Sequence, residues 1–337
     1  MHNNKRAVKT KFTAQQAHEL LCKYGKKAFT IAQKIIHEEN IENRNVRETL
    51  NYFMQEVWHD LEYPGFMALA CKAVKGDPDK TSQFGAALIL IRGAMDIHDD
   101  IIDQQSIKAG KPTVFGKYGQ DLSILAGDVL FYEGLVHLNK ASLKLREEER
   151  QTIVDMVKKA FFEVGIGVAS EVDYKGNFDL MKEDGIRIII QKSACAEMHA
   201  RVGATIGGGS KEEVDALGKF GRSLGILTII RDEFVDIYEP DELQNRKDKE
   251  CLPLPLLFAL QHENVKNKVL PILKKTELTE EDSQKIIDII SHSKGISELK
   301  TYMNKTKKGA LSSLNVIKVK ETKHLLKSLL EPVFENI

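Results

Sequence analysis

Neither sign of charge is in surplus: 49 Lys and Arg stand against 49 Asp and Glu in 337 residues. A nucleic-acid binder usually carries a basic excess, so that class is set aside. Cysteine is scarce, at 4, and Cys22, Cys71, Cys195 and Cys251 lie far apart with no Cys-x-x-Cys pair. That excludes a zinc ribbon and a disulfide scaffold, and free thiols point to a reducing compartment, read here as the cytoplasm. Proline is scarce as well, at 8, and Gly stands at 23, which excludes a collagen-like repeat. No window reaches ~18 consecutive apolar residues, so no transmembrane segment is expected. Residues 1–13 are polar, lack the apolar stretch of a signal peptide, and read as a solvated tail.

What the sequence has is helical periodicity over almost its whole length. Ala, Leu, Ile, Lys and Glu dominate, and alternating strand-like stretches are rare. The pattern predicts helices over 14–38, 82–104, about 119–140, 148–173, 180–206, 211–238 and 252–262. Short breakers separate them: Lys75-Gly-Asp-Pro78, Gly110-Lys-Pro112, Gly207-Gly-Gly209 and Pro253. From about 264 to 337 the chain is Lys-rich and amphipathic. No linker and no repeat of solenoid length interrupts this, so a single large all-α domain spanning 1–337 is the expectation.

The chemistry gathers at two helix ends. The apolar run Phe84-Gly-Ala-Ala-Leu-Ile-Leu-Ile91 leads into Asp96-Ile-His-Asp99-Asp100-Ile-Ile-Asp103. Asp99 and Asp103 are four apart and share one helix face, with Asp96 and Asp100 on or beside it. Like charges so close repel by a few kcal/mol per pair (order of magnitude) when partly desolvated, and call for a counter-charge. Oxygen-only ligands favour Mg²⁺, which takes one or two carboxylates plus substrate phosphate. A second cluster, Asp232-Glu233-Phe-Val-Asp236, again follows an apolar run, Leu224-Gly-Ile-Leu-Thr-Ile-Ile230, and repeats the spacing of four. Two such faces across a cavity suit Mg²⁺ ions around one diphosphate, neutralising the charge that develops as a C–O bond breaks.

The chain thereby resembles the trans-isoprenyl diphosphate synthases, the polyprenyl synthetase family, over roughly residues 45–262. Asp99-Asp-Ile-Ile-Asp103 is similar to the family's first aspartate-rich motif, Gly110-Lys-Pro-Thr113 to its downstream loop, and Leu125-Ala-Gly-Asp128 to the following helix. Lys192-Ser193 stands for a Lys-Thr pair, Gly221-Arg-Ser-Leu-Gly225 leads into the second acidic motif, and Lys249 with Leu252-Pro253 looks like the closing Lys-x-Thr-Leu-Pro segment. The resemblance implies an all-α fold around a deep central cavity, usually a homodimer, and up to three Mg²⁺. It implies ionisation of an allylic diphosphate, attack by isopentenyl diphosphate, loss of a proton, and growth by five carbons. Carried over by position, Asp99, Asp103 and Asp232 are the main metal ligands, with Asp100, Glu233 and Asp236 assisting. Asp99, Asp103, Lys192 and Asp232 form the catalytic set. Lys108, Lys192 and Lys249 hold the allylic diphosphate, and Ser193 offers a hydroxyl.

One part of the pattern is missing. The family binds isopentenyl diphosphate with a Lys and an Arg of a Gly-Lys-x-x-Arg stretch, a His before the first aspartate, and the second Arg of an Arg-Arg pair. Those positions are Asp60, Tyr63, Arg92 and Ala109 in this sequence. With His neutral, a pocket of three positive charges becomes one of zero net charge. Each charge-assisted contact to a diphosphate contributes ~1.5–3 kcal/mol, so the usual second-substrate site is expected to be altered or closed. Arg92 has two candidate partners, Asp60 and Asp96. Three functions remain in view: condensation with isopentenyl diphosphate through a rearranged site; ionisation followed by cyclisation or transfer to a non-diphosphate acceptor; or a low-activity subunit of a heteromer with an active synthase. Ala94 and Met95, just before the first aspartate, are read as the floor that limits product length, with a C20 product expected.

Overall fold

The computed structural model describes residues 12–108 and 110–335. Fifteen α-helices run in order: α1 Ala14–Glu38, α2 Arg44–Tyr52, α3 Glu62–Ala73, α4 Ser82–Ile102, α5 Val114–Ser142, α6 Glu147–Asp173, α7 Lys182–Lys192, α8 Ala194–Ile206, α9 Lys211–Tyr238, α10 Pro240–Lys249, α11 Leu254–Leu260, α12 Glu263–Leu273, α13 Glu280–Ile290, α14 Lys294–Ser313 and α15 Lys320–Ser328. The only strands among the described residues are Ile107–Lys108 (β1) and Lys111–Pro112 (β2), an antiparallel pair in which Lys108 faces Lys111.

Local signals set the helix ends. Thr13 and Ser210 cap α1 and α9 through reciprocal bonds with Gln16 and Glu213. The continuous helix expected over 180–206 is instead α7 and α8, meeting at Ser193. Within α5, Gly119 takes φ 79 and kinks the element; a left-handed φ is the conformation for which glycine carries no Cβ penalty. After α2 the chain makes a π-helical turn, Phe53–Val57, closed by the Trp58 amide donating to the Phe53 carbonyl at 2.8 Å. That turn delivers Trp58 into the core, 4% exposed.

Packing arranges the long helices around one chamber. α4 lies against α1 and α5, α3 against α1 and α8, and α8 against α6 and α9. Gly65 lets α3 approach α1 closely, because a Cβ there would run into the Leu21 carbonyl oxygen. The Lys-rich α12 to α15 keep most of their charges outside, with Asp282 buried and paired to Lys275. Their apolar faces, including Val269, Ile286, Leu299 and Leu326, join Leu217 and Phe220 of α9 in one buried cluster. Fully burying each such side chain contributes ~1.5–3 kcal/mol, so these helices are an integral part of the domain. No described helix is long and apolar enough to cross a membrane.

Candidate active site

A cavity of ≈580 Å³ opens between α3, α4, α6, α8 and α9. α4 presents Leu88, Ile91, Arg92, Met95 and Asp99 to it, and α6 presents Val157, Phe161, Val164, Val168 and Val172. Both series follow the three-to-four spacing of one helix face. Apolar side chains dominate the interior, while Asp96, Asp99 and Lys192 lie at the mouth.

The acidic residues sit at two helix C-termini, and those of α4 reach the mouth through Asp96 and Asp99. Asp99 and Asp100 lie in the last turn of α4, Asp103 is its C-cap, and Asp232 and Asp236 lie in the last two turns of α9. A helix C-terminus carries about half a negative charge, so acids there compound an unfavourable field. The titration behaviour reflects this. Burial and then the charge of Asp99 push the Asp103 carboxyl up to about 7. Burial, partly offset by Lys108, pushes Asp100 up to about 7. Desolvation, offset in part by Arg231 and reinforced by Asp236, brings Asp232 to about 6. Lys108 at 3.5 Å from Asp100 and Arg231 at 3.7 Å from Asp232 offset this burial only in part.

The lysines present are already engaged. Lys108, carried over the end of α4 by the β1–β2 hairpin, donates to Asp96 at 2.8 Å and lies 3.5 Å from Asp100. Lys192 Nζ donates to both oxygens of Glu171, at 2.9 and 2.7 Å. Lys249 Nζ donates to the Gln104 carbonyl at 3.2 Å. Gln104 holds φ 51, a strained value for a residue with a Cβ. The segment after the first acidic motif is thus tied to the end of α10.

Oxygen donors alone suit Mg²⁺, and the electron-rich mouth fits a divalent cation. Among the described residues no three of these groups already converge as a cage.

The sequence pattern of the polyprenyl synthetase family matches residues 63–290. The chain belongs to that family. Relatives include the short chain isoprenyl diphosphate synthase of Methanothermobacter thermautotrophicus, 29% identical over 229 residues, which are 67% of this chain and 66% of the relative. The geranylgeranyl diphosphate synthase of Sulfolobus acidocaldarius is 27% identical over 258 residues, 76% of this chain and 72% of the relative. Among solved structures, geranylgeranyl pyrophosphate synthetase from Pyrococcus horikoshii superposes with a TM-score of 0.84 at 22% identity, covering 96% of this chain and 99% of that one. That likeness establishes the all-α fold; the family itself is one of prenyltransferases.

Against the family pattern, the structure rearranges several sequence-based assignments. Glu233 is not a free metal ligand: it is 5% exposed, with one oxygen accepting from Arg246 at 2.8 Å and the other from the Leu254 amide at 2.7 Å. Ser193 is fully buried, and its hydroxyl donates to the Ile190 carbonyl at 2.7 Å, away from the mouth. Ala94 turns out of the cavity into the cluster with Leu50, Phe53 and Ile97, whereas Met95 does line the cavity. Ala109 lies outside the described residues.

Asp236 remains partly accessible, 3.4 Å from Arg246. Arg246 itself was not anticipated. It is buried, donates to Glu233 and Glu250, and lies 3.8 Å from Glu171, joining α6, α9 and α10 behind the mouth.

The wall carrying Asp60, Tyr63 and Arg92 is neutral and filled. Arg92 donates to Asp60 at 2.6 Å, not to Asp96. Its guanidinium lies 3.9 Å from the centre of the Tyr63 ring and 5.4 Å from that of Trp58. Burial alone would raise the Asp60 carboxyl, but Arg92 holds it below the usual carboxylate range. His199, 1% exposed, stacks near Tyr63 at 5.0 Å and sits 3.7 Å from Cys195 Sγ. Burial, reinforced by Arg92, lowers it to about 3, so it is neutral. The sequence does hold the signal for the Cys195–His199 contact: a spacing of four on one helix.

Proposed function

We propose that this chain is a Mg²⁺-dependent prenyltransferase of isoprenoid biosynthesis. It ionises an allylic diphosphate and condenses the cation with isopentenyl diphosphate to a longer isoprenyl diphosphate, read as C20. The observation that carries this reading is the excess of carboxylate at the C-terminus of α4, which places Asp96 and Asp99 at the mouth of a largely apolar ≈580 Å³ cavity. Family membership and relatives named as isoprenyl diphosphate synthases support it.

In this reading Asp99, Asp103 and Asp232, with Asp100 and Asp236 beside them, hold Mg²⁺. The bound ions supply Lewis-acid neutralisation of the departing diphosphate. Lys108, Lys192 and Lys249 exchange their internal partners for diphosphate oxygens. The aliphatic lining keeps water from the allylic cation, and the isoprenoid tail gains by burial there. A strip of exposed apolar residues on α5 and α6, among them Tyr132, Leu135, Phe162 and Ile166, suits a second copy of the chain. The four free thiols suit a cytoplasmic setting.

One observation favours a second reading. The Arg92–Asp60 pair at 2.6 Å satisfies the cation on the wall where a second diphosphate would sit. An acceptor without a diphosphate, or an internal double bond, would need no such cation.

The test is incubation with Mg²⁺ and a labelled allylic diphosphate, with and without isopentenyl diphosphate. A longer diphosphate product that requires isopentenyl diphosphate supports the first reading. Diphosphate release indifferent to it overturns the first in favour of the second. Silence in both arms moves the chain to a partner-dependent subunit.

A further inference from the structure

The apolar chamber shares a wall with a second cavity. Descending from the mouth, Leu88 lies eleven residues before Asp99 on α4, about 16 Å at 1.5 Å per residue. There Leu88, Val157, Ala160 and Met198 belong to one buried cluster. Behind Leu88 and Val157 that cluster continues as close-packed core, with Phe84, Leu138 and Ile153. Ala160 and Met198 also face a second cavity of ≈320 Å³, lined besides by Met156 and Ala194 and by the charged Lys159, Glu163, Glu197, Arg201 and Arg222, so the same two residues line both spaces.

The two spaces differ in chemistry. On the far side, Arg222 meets Glu163 and Glu197, and Arg201 meets Glu197 and Asp215, each at 2.6 Å. On the near side the lining next to Ala160 and Met198 is apolar, with Leu88, Ile91, Val157, Phe161 and Val164. Ala160 contributes little bulk to the partition, so the Met198 thioether chain, with three rotatable bonds, is what separates them.

We propose that Met198, seated on Ala160, is the stop that limits the length of prenyl chain the chamber accepts, with open space and not packed core behind it. This rests on the prenyltransferase reading. It moves the length limit from Ala94, which faces the core, to the seam between α6 and α8. The distinction from an ordinary floor residue is physical. Trimming Leu88 creates only its own void against packed core, whereas trimming Met198 connects the chamber to space that already exists.

The experiment measures Mg²⁺-dependent binding of non-ionisable thiolo-diphosphate analogues of graded prenyl length, so no acceptor is involved. Wild-type affinity is expected to rise with each added isoprene unit and then fall at a cutoff. Met198→Ala should shift that cutoff by at least one unit, tightening the first excluded length on the order of tenfold. Ala160→Leu should shift it the other way, and Leu88→Ala should leave it in place. Thermal unfolding of each variant checks that it is folded. A wild-type cutoff in Met198→Ala, or an equal shift in Leu88→Ala, overturns the stop. Absence of Mg²⁺-dependent binding at every length overturns the prenyltransferase reading itself and the stop with it.

Discussion

At the mouth of the chamber carboxylates outnumber the cations that meet them, while on the wall of Asp60, Tyr63 and Arg92 the charges are matched one to one. The mouth leaves Asp100 and Asp103 with affinities for protons near neutrality. The wall holds Asp60 ionised against Arg92 at 2.6 Å, with aromatic rings about the guanidinium. Unmatched charge costs folding free energy and is recovered only when a ligand arrives. Matched charge is satisfied by the fold and has little to offer an incoming anion. The same contrast appears inside one motif: Glu233 is fully paired and structural, and Asp232 three atoms of backbone away is not.

The largest effect that would break this comparison is at the mouth. Asp99→Asn or Asp103→Asn should lower kcat/KM for diphosphate release by on the order of a thousandfold. The same variants should raise Tm, because a like-charge repulsion is relieved; activity and stability moving in one direction would refute the assignment. Next, Arg246→Gln should cost about 3–5 kcal/mol of stability in denaturant unfolding, because Glu233 and its neighbours stay buried without their cation. Arg246→Lys should recover part of that loss, and a surface-like change below ~0.5 kcal/mol would show the cluster is not structural.

On the wall, Asp60→Ala should leave Arg92 unpaired and lower the KM for isopentenyl diphosphate about tenfold, with the allylic KM unchanged. A KM that does not move would separate Arg92 from the second substrate. The smallest effect is a pH slope. The folded His199 value of about 3 lies below the unfolded value of about 6.5. Its neutral form is therefore free of penalty above about pH 6.5, and stability is lost as pH falls toward 3, by about 2 kcal/mol at pH 5. His199→Asn should flatten that part of the Tm profile.

Much of this was legible in the residues. Apolar periodicity placed α1 and α9 to the residue. Both acidic faces and the charge-neutral wall could be read by spacing and by counting charge. What escaped depended on phase or on distance. Ala94 is five residues before Asp99, about 140° off its face at 100° per residue, while Met95 is about 40° off and lines the cavity. Ser193 falls at the break between α7 and α8, which continuous periodicity conceals. Arg246 sits in a run of polar residues, and its acidic partners are spread over α6, α9 and the turn after α10, so no single helix spacing joins them.

The pairing of Lys108 with Asp96 and of Lys192 with Glu171 has a kinetic and thermodynamic corollary. On the proposed function these lysines are resident counter-ions, so loading the mouth is an ion exchange and not a simple addition. A divalent cation arriving alone must expel an ammonium group from an acid. A diphosphate arriving alone must approach uncompensated aspartates. Arriving together, each neutralises what repels the other, and the lysines pass from carboxylate to phosphate without losing a partner. The proposed function thereby favours arrival of the metal–diphosphate complex over either component.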